Sequence, residues 1–143
     1  MTNLDREDGF RYEKLVANYF SQELRCIVIN NSVVNSKKDS GIDLIAIQTF
    51  NNFRQIYLIQ CKNYRKGSYI KREQIDRYCE LKDKFIRNAL SYDKNDSVNL
   101  IFCVSNKIFK SQDFAYAKEK GIQIMELAID DNGTSVILKN KKI

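Results

Sequence analysis

Histidine is absent from all 143 residues of the chain. Its absence excludes Ser-His-Asp triads, Cys-His pairs, zinc-activated hydrolases and histidine-metal nucleases together. Any hydrolysis by this protein therefore has to use carboxylates, lysine and a hard cation. Carboxylate and amide oxygens are ligands for Mg²⁺, so magnesium chemistry is the catalytic class that the composition leaves open.

Closely spaced cysteines and long apolar runs are also missing. The sequence has no Cys-x-x-Cys pair, and each of its four cysteines falls in an apolar stretch: Cys26, Cys61, Cys79 and Cys103. This pattern favours reduced core thiols over disulfides or a structural zinc site. No run approaches membrane-spanning length, and the polar, acidic N-terminus is unlike a signal peptide, so we expect a cytoplasmic protein without a membrane partner.

The overall composition is that of a soluble globular protein, with 43% hydrophobic and 29% charged residues. The length predicts a single domain over residues 1–143. The net charge of +6 indicates, weakly, a polyanionic partner.

The centre of the sequence is a pair of predicted β-strands, Ile42–Gln48 and Gln55–Lys62. Asn51 and Asn52 join them, and asparagine tolerates the left-handed backbone of a tight turn. Period-2 alternation places the apolar residues of each strand on a buried face. We therefore predict a β-hairpin here.

Three polar residues interrupt this hairpin at neighbouring strand ends. Asp43 opens the first strand, and Gln60 and Lys62 close the second, on the same face as Leu58. A buried sheet has little reason to carry these groups unless they face each other or a ligand. The alternative is a strand end that reaches solvent.

Apolar spacing and turn residues predict the other elements. The first helix is expected to be capped by Asp5 or Asp8, and a short late helix by Ser111. A strand–helix–strand order implies a parallel crossover and hence a mixed sheet. The predicted segments are a helix to Glu23, a strand Cys26–Val34, a helix Ile70–Leu90, a strand Val98–Val104, a short helix before Gly121, a strand Ile122–Leu127 and a last short strand Thr134–Leu138.

The hairpin residues resemble the core of the PD-(D/E)xK nuclease superfamily, and more narrowly its Mrr-like restriction endonuclease branch. The motif of that branch reads Asp-x-Gly-Ile-Asp, a hairpin, then Gln-x-Lys, and Asp39–Asp43 and Gln60–Lys62 match it residue for residue. The resemblance extends from Gly9 to Leu127. It implies an α/β, restriction-endonuclease-like core with a mixed central β-sheet flanked by helices in the order αβββαβαβ.

The resemblance implies a metal-dependent DNA endonuclease that uses Mg²⁺, for which Mn²⁺ would substitute. Asp43 would anchor the metal, with the backbone carbonyl of Cys61, the amide oxygen of Gln60 and an outer carboxylate from Glu13 as further ligands. Lys62 would orient the attacking water. Glutamine in place of the superfamily's commoner acid removes one negative charge, so Mg²⁺ binding should be weak until substrate phosphate completes the shell.

Two further residues have less certain roles. Asp39 would bind metal, cap its own loop or simply be solvated. Gln74 and Tyr78 fit the Gln-x-x-x-Tyr pattern of RecB-type relatives, but Tyr78 also fits the apolar stripe of its helix.

A basic segment follows Lys62 directly and leads into the start of the next helix, where free N–H groups favour phosphate. A solvated loop is the alternative reading of such a charge run. We predict contacts with a nucleic-acid backbone from Lys38, Tyr64, Arg65, Lys66, Lys71 and Arg72.

Larger Mrr-like enzymes carry a separate DNA-reading module, and we predict none in these residues. We therefore expect an endonuclease that recognises DNA structure or that cuts for a partner protein supplying target recognition. A Holliday junction resolvase acting as a homodimer is the alternative: the short length favours it, whereas Gln-x-Lys favours the Mrr branch. A non-catalytic nucleic-acid-binding module on the same fold is the alternative from another class.

Overall fold

The computed structural model describes residues 3–30, 42–63, 69–88, 95–106 and 109–139, with the backbone alone for 3–10, 87 and 88. Several residues singled out in the sequence lie outside these ranges. They are Lys38, Asp39, Tyr64, Arg65 and Lys66.

The described residues form three helices and six strands in the predicted order, including the short last strand. Within these residues no helix combines the length and the apolar character that are needed to cross a bilayer. The elements are α1 (Asn3–Gln22), β1 (Ile27–Asn30), β2 (Leu44–Thr49), β3 (Arg54–Lys62), α2 (Arg72–Asn88), β4 (Ser97–Val104), α3 (Ser111–Glu119), β5 (Ile122–Ile129) and β6 (Val136–Leu138).

The strands make one six-stranded sheet in the order β1-β2-β3-β4-β5-β6. Strands β1, β2 and β3 are antiparallel neighbours, β3, β4 and β5 are parallel, and β6 returns antiparallel to β5. A helix connects each pair of parallel strands: α2 joins β3 to β4, and α3 joins β4 to β5, as the predicted crossover requires. The carboxyl ends of β3 and β4 therefore lie at the same end of the sheet as the start of β2.

Helices cover both faces of the sheet. Helix α1 buries Tyr12, Val16 and Phe20 against one face, and α2 and α3 bury Ile75 and Ala117 against the other. The Tyr12 hydroxyl donates a hydrogen bond of 2.8 Å to the Leu127 carbonyl, which ties α1 to β5. Strand β4 is buried from its fourth residue to its end, as its nearly continuous apolar run predicts.

The predicted helix caps are wrong. Helix α1 begins at Asn3, so Asp5 and Asp8 lie inside the helix and not at its N-cap. Ser111 is the first residue of α3, and Lys110 is its N-cap without a side-chain hydrogen bond. Lys110 already has the extended backbone that an N-cap position requires, so the helix starts one residue earlier than predicted.

The β2–β3 hairpin forms as predicted, but not through left-handed asparagines. Among the described non-glycine residues only Arg25 has a positive φ, 54°, so Asn51 and Asn52 do not adopt that backbone. The Phe50 N–H donates to the Phe53 carbonyl at 2.9 Å, and the two phenyl rings stack with centroids 4.8 Å apart. This ring stack closes the hairpin instead.

All four cysteines are free thiols, as predicted. Cys61 and Cys103 are Cα partners on β3 and β4. Burial raises the pKa of Cys103 above its ordinary value, and the negative charge of Asp43 raises it further. The Cys103 thiol is therefore a protonated part of the core at neutral pH.

Candidate active site

Asp43 is placed by an irregularity at the start of β2. Its N–H donates to the Ile59 carbonyl at 2.9 Å, although the cross-strand partner of Ile59 in the ladder is Leu44. This offset of one residue is the contact made by a β-bulge, which re-aims a side chain at a strand end. Ile42 before it packs on the α2 face and Leu44 after it packs on the α1 face. In a regular strand, residues two apart point to the same face. Ile42 and Leu44 point to opposite faces, so the strand is irregular at Asp43.

The Asp43 carboxylate joins the two halves of the sequence motif. It accepts a hydrogen bond of 2.8 Å from the backbone N–H of Cys61, the residue between Gln60 and Lys62. The start of β2 is thereby held against the end of β3 by a charge-assisted hydrogen bond. The predicted meeting of Asp43 with the Gln-Cys-Lys segment is present in the structure.

Glu13 reaches the same place from helix α1. Burial raises the pKa of Asp43, and three interactions oppose that rise: the Cys61 N–H, the charge of Lys62, and a side-chain hydrogen bond with Glu13. Two carboxyl groups in a partly buried site provide the negative charge that attracts a cation.

Gln60 and Lys62 continue the side of β3 that Ile56 and Leu58 occupy in the core packed by α2. Their common face was predicted from alternation. Both line a cavity of about 100 Å³ together with residues of α2, namely Gln74, Arg77, Tyr78 and Leu81. Lys62 and Gln60 therefore open toward α2, whereas Glu13 approaches from α1.

The negative charge of Asp43 also acts on a residue that lines this cavity. Burial first, and then the charges of Cys103 and Asp43, raise the pKa of Tyr78, which is one of the lining residues. The charge of Lys62 in turn lowers the pKa of Asp43. The acid and the ammonium are electrostatic neighbours, although they approach the end of the sheet from different sides.

Gln74 has a structural partner. Its side-chain oxygen accepts a hydrogen bond of 2.9 Å from the Lys71 N–H, and its own N–H donates to the Lys71 carbonyl at 3.0 Å. The side-chain bond is one half of a capping box at the start of α2, and a backbone bond takes the place of the other half because lysine has no side-chain acceptor. Gln74 thus fixes the helix start and lines the cavity as well.

Lys71 and Arg72, which were predicted to contact nucleic acid, are both exposed at the N-terminus of α2. The Arg72 guanidinium is already used within the protein: its Nε donates to the Asp113 carboxylate at 3.3 Å, and it lies 4.7 Å from the centre of the Tyr116 ring. It links α2 to α3. Of these two cations, Lys71 is therefore the better placed to contact a nucleic acid.

Sequence reasoning missed a polar contact at the carboxyl ends of β3 and β4. The buried Ser105 donates its N–H to the Lys62 carbonyl at 3.2 Å and its hydroxyl to Asn63 at 2.6 Å. The contact holds the chain just past Lys62. A polar residue directly after a buried parallel strand is the signal that would have found it.

The described donor set suits a hard cation. Asp43 and Glu13 supply two carboxylates, and Gln60 directly follows Ile59, whose carbonyl accepts the Asp43 N–H. Among the described residues no group of three or more histidine, cysteine or acidic side chains is placed to hold a metal. Two acids supplemented by an amide and a backbone carbonyl make an oxygen-only set of the kind that Mg²⁺ prefers.

Comparisons with known proteins identify the family. Residues 15–137 match the restriction endonuclease family model Mrr_cat_2, whereas searches of curated proteins and of solved structures found no match. The matched range includes Asp43, Gln60 and Lys62. Restriction-endonuclease-like domains generally use divalent metals, and the mixed sheet between helices agrees with their fold. The chain therefore belongs to the Mrr-type restriction endonuclease family, as its central motif predicted, and that membership implies an endonuclease.

Proposed function

We propose that this endonuclease hydrolyses the phosphodiester bonds of DNA with the help of Mg²⁺. The observation that carries the proposal is the hydrogen bond from the Cys61 N–H to the Asp43 carboxylate. That bond gathers the two halves of the motif at one end of the sheet. Glu13 adds a second carboxyl group there.

The metal would be held by oxygens from two strands and one helix. Asp43 is its anchoring ligand, with Glu13, the Gln60 amide oxygen and the Cys61 carbonyl as the others. When bound, a divalent cation neutralises the negative charge of the phosphate and makes its bound water more acidic. Both side chains would bind the metal as carboxylates, so they would have to be deprotonated when the metal binds.

Lys62 supplies the mobile positive charge of the reaction. Its ammonium is a point charge on a flexible stem, which suits it to orient the attacking water and to offset charge on the phosphate oxygens. It lines the cavity beside α2 and is already electrostatically coupled to Asp43. Loss of this group would therefore affect the chemical step more than DNA binding.

DNA is the proposed substrate because the chain is basic and because the start of α2 exposes Lys71 next to the site. One site cuts one strand, so cleavage of both strands of a duplex would use a homodimer with two sites. A partner protein that supplies target recognition fits the same proposal.

A cleavage assay with a matched pair of variants tests the proposal. Linear duplex, single-stranded DNA, a four-way junction and RNA are each incubated with Mg²⁺ or Mn²⁺. Asp43→Asn keeps an oxygen that accepts the Cys61 hydrogen bond but removes the charge. Its control, Asp131→Asn, makes the same change in an exposed turn. We expect Asp43→Asn and Lys62→Ala to reduce cleavage by at least about 100-fold, and Asp131→Asn to have no effect.

DNA binding measured in Ca²⁺ separates the chemical step from binding. We expect both site variants to retain binding while cleavage is lost. Full cleavage by Asp43→Asn would refute the assignment of the site. Tight binding by the wild-type chain without cleavage of any substrate would identify a non-catalytic binding module instead.

A further inference from the structure

The cavity beside Lys62 contains a second cation that the proposed mechanism does not use. Arg77 of α2 lines this space together with Gln60, Lys62 and Gln74. The lining thus offers two positive charges and two amides, and none of its described residues is acidic. Its volume of about 100 Å³ is well below that of pockets for drug-sized ligands, roughly 300–1,000 Å³, so it suits a small anionic group.

Among the residues that the structure describes, none binds the Arg77 guanidinium. Glu73 and Glu80 lie at helical spacing from it, yet Arg77 makes no ion pair or hydrogen bond with either, or with any other residue in the described part of the chain. Arg72, one turn earlier, differs in this respect because Asp113 and Tyr116 hold its guanidinium.

The helical turn that carries Arg77 is fixed against the sheet. The neighbouring Tyr78 is 1% exposed and its hydroxyl donates to the Leu58 carbonyl of β3. Ile75 is fully buried on the same side of the helix. Because these anchors set the distance between α2 and β3, the backbone of Arg77 has a fixed position relative to Lys62. Binding of a ligand by Arg77 would therefore order its side chain but would not require the helix to move.

We propose that Arg77 binds a backbone phosphate of the DNA next to the phosphate that is cleaved, with the cavity as its binding site. The proposal rests on the proposed function, because it takes the DNA to be bound at Lys62. The planar guanidinium fork matches the oxygens of a phosphodiester, which a lysine ammonium does not. Arg77 is thus a substrate-binding residue supplied by the helix layer opposite to Glu13.

The test compares Arg77→Ala with Lys84→Ala, an exposed cation on the same helix two turns further on. We expect Arg77→Ala to weaken DNA binding in Ca²⁺ by about 10- to 100-fold, the factor for a lost hydrogen bond to a charged group. The slope of log K against log salt should fall by about 0.9. Lys84→Ala should change binding by less than about threefold. Arg77→Lys should recover the salt slope but only part of the affinity.

A modified substrate shows whether the contact is with a phosphate. Around a mapped cleavage position, single phosphates are replaced by uncharged methylphosphonates. At one position flanking the cut, the replacement should weaken wild-type binding but have no additional effect on Arg77→Ala. Equal sensitivity of the two proteins at every position would overturn the proposal. So would equal affinities of the Arg77→Ala and Lys84→Ala variants.

These outcomes are distinct from a failure of the proposed function. If the wild-type chain binds DNA but cleaves nothing, binding and salt slope still decide whether Arg77 contacts phosphate. If Lys62→Ala abolishes cleavage while Arg77→Ala behaves like the control, the nuclease stands and the role of Arg77 is refuted. Thermal unfolding checks that Arg77→Ala folds normally, which is expected because the side chain is exposed and makes no ion pair or hydrogen bond with another described residue.

Discussion

Replacing Tyr78 with phenylalanine distinguishes a core residue from a catalytic one. Tyr78 ends a Gln-x-x-x-Tyr pattern that also occurs in nucleases, and it lines the candidate cavity. In the structure its hydroxyl donates to the Leu58 carbonyl and lies 3.4 Å from the Ile101 carbonyl. Burial raises the pKa of Tyr78, so the hydroxyl keeps its proton across the working pH range. Its role is to join α2 to β3 and β4.

The size of the effect follows from what the substitution removes. The ring and its packing against Phe102, at 4.9 Å between centroids, are retained. One buried hydrogen bond is lost, which is worth about 0.5–1.5 kcal/mol net, with up to about 3 kcal/mol if the acceptor is left unsatisfied. Leu58 lies within a strand, where ladder bonding satisfies most carbonyls. We therefore expect Tyr78→Phe to lower the free energy of unfolding by about 1–2 kcal/mol.

Far-UV circular dichroism during urea unfolding measures this change, since the chain has no tryptophan to report by fluorescence. The melting temperature should fall by roughly 2–8 °C. The control is Tyr116→Phe, which removes a hydrogen bond to Asp76 on the exposed side of α2 and should cost less than about 0.5 kcal/mol. Cleavage by folded Tyr78→Phe should stay within about threefold of the wild-type rate. Unchanged stability with abolished cleavage would place Tyr78 in the catalytic site and refute its structural role.

Two further predictions concern regions away from the site. Asp96→Asn should lower the free energy of unfolding by about 1–2 kcal/mol in urea, because it removes the charge of a buried acid that binds Arg54 at 3.1 and 2.5 Å; unchanged stability would contradict this. The pKa of Asp130 is lowered to about 2 by hydrogen bonds from Ser135 and Thr134. Its stabilising effect is complete above the ordinary aspartate value near 3.9 and is lost as pH falls through about 2. The protection factor of the Thr134 amide, which is its exchange rate corrected for the intrinsic pH dependence, should be constant near pH 5 and fall only as the pH approaches about 2 when followed by NMR.

The fold was predictable wherever apolar residues repeat with a clear period. The continuous apolar run of Val98–Val104 indicated a strand covered on both faces, and β4 is buried in that way. The β2–β3 hairpin followed from two alternating strands around a short polar loop. These predictions succeeded because burial of apolar surface is the dominant force that shapes them.

The conformation of turns and helix ends was less predictable, because several residue types can occupy the same turn or cap position. Asparagines at 51 and 52 indicated a left-handed turn, but the stacking of Phe50 on Phe53 closes the hairpin without one. That stack depends on side-chain packing across the turn, which turn propensities do not include. Ser111 was expected as a cap because serine is a common N-cap residue, but Lys110 has the extended backbone of the N-cap and the helix starts one residue earlier.

The candidate site was only partly accessible to sequence reasoning. Asp43, Gln60 and Lys62 lie on neighbouring strand ends, so a hairpin alone brings them near each other. Glu13 entered through the family resemblance, because nothing in α1 shows that this residue faces Asp43. Arg77 was missed because its position depends on how α2 packs across β3, and helix packing is not encoded in spacing along one segment.

The candidate site lies at the end of the sheet, so side chains from the helices on both faces can reach it. In the middle of the sheet the strands separate α1 from α2 completely, and residues such as Leu58 and Ile59 are fully buried on opposite faces. Past Lys62 this barrier ends, so Glu13 from one layer and Gln74 from the other can serve the same strand ends. The bulge at Asp43 completes this arrangement by turning a side chain that alternation alone would place differently. The polar side chains of the site are also compatible with an apolar core. They lie at the strand ends, so none of them interrupts the buried part of a strand. Substitution of Lys62 should consequently change chemistry far more than stability, whereas substitution of Leu58 should do the reverse.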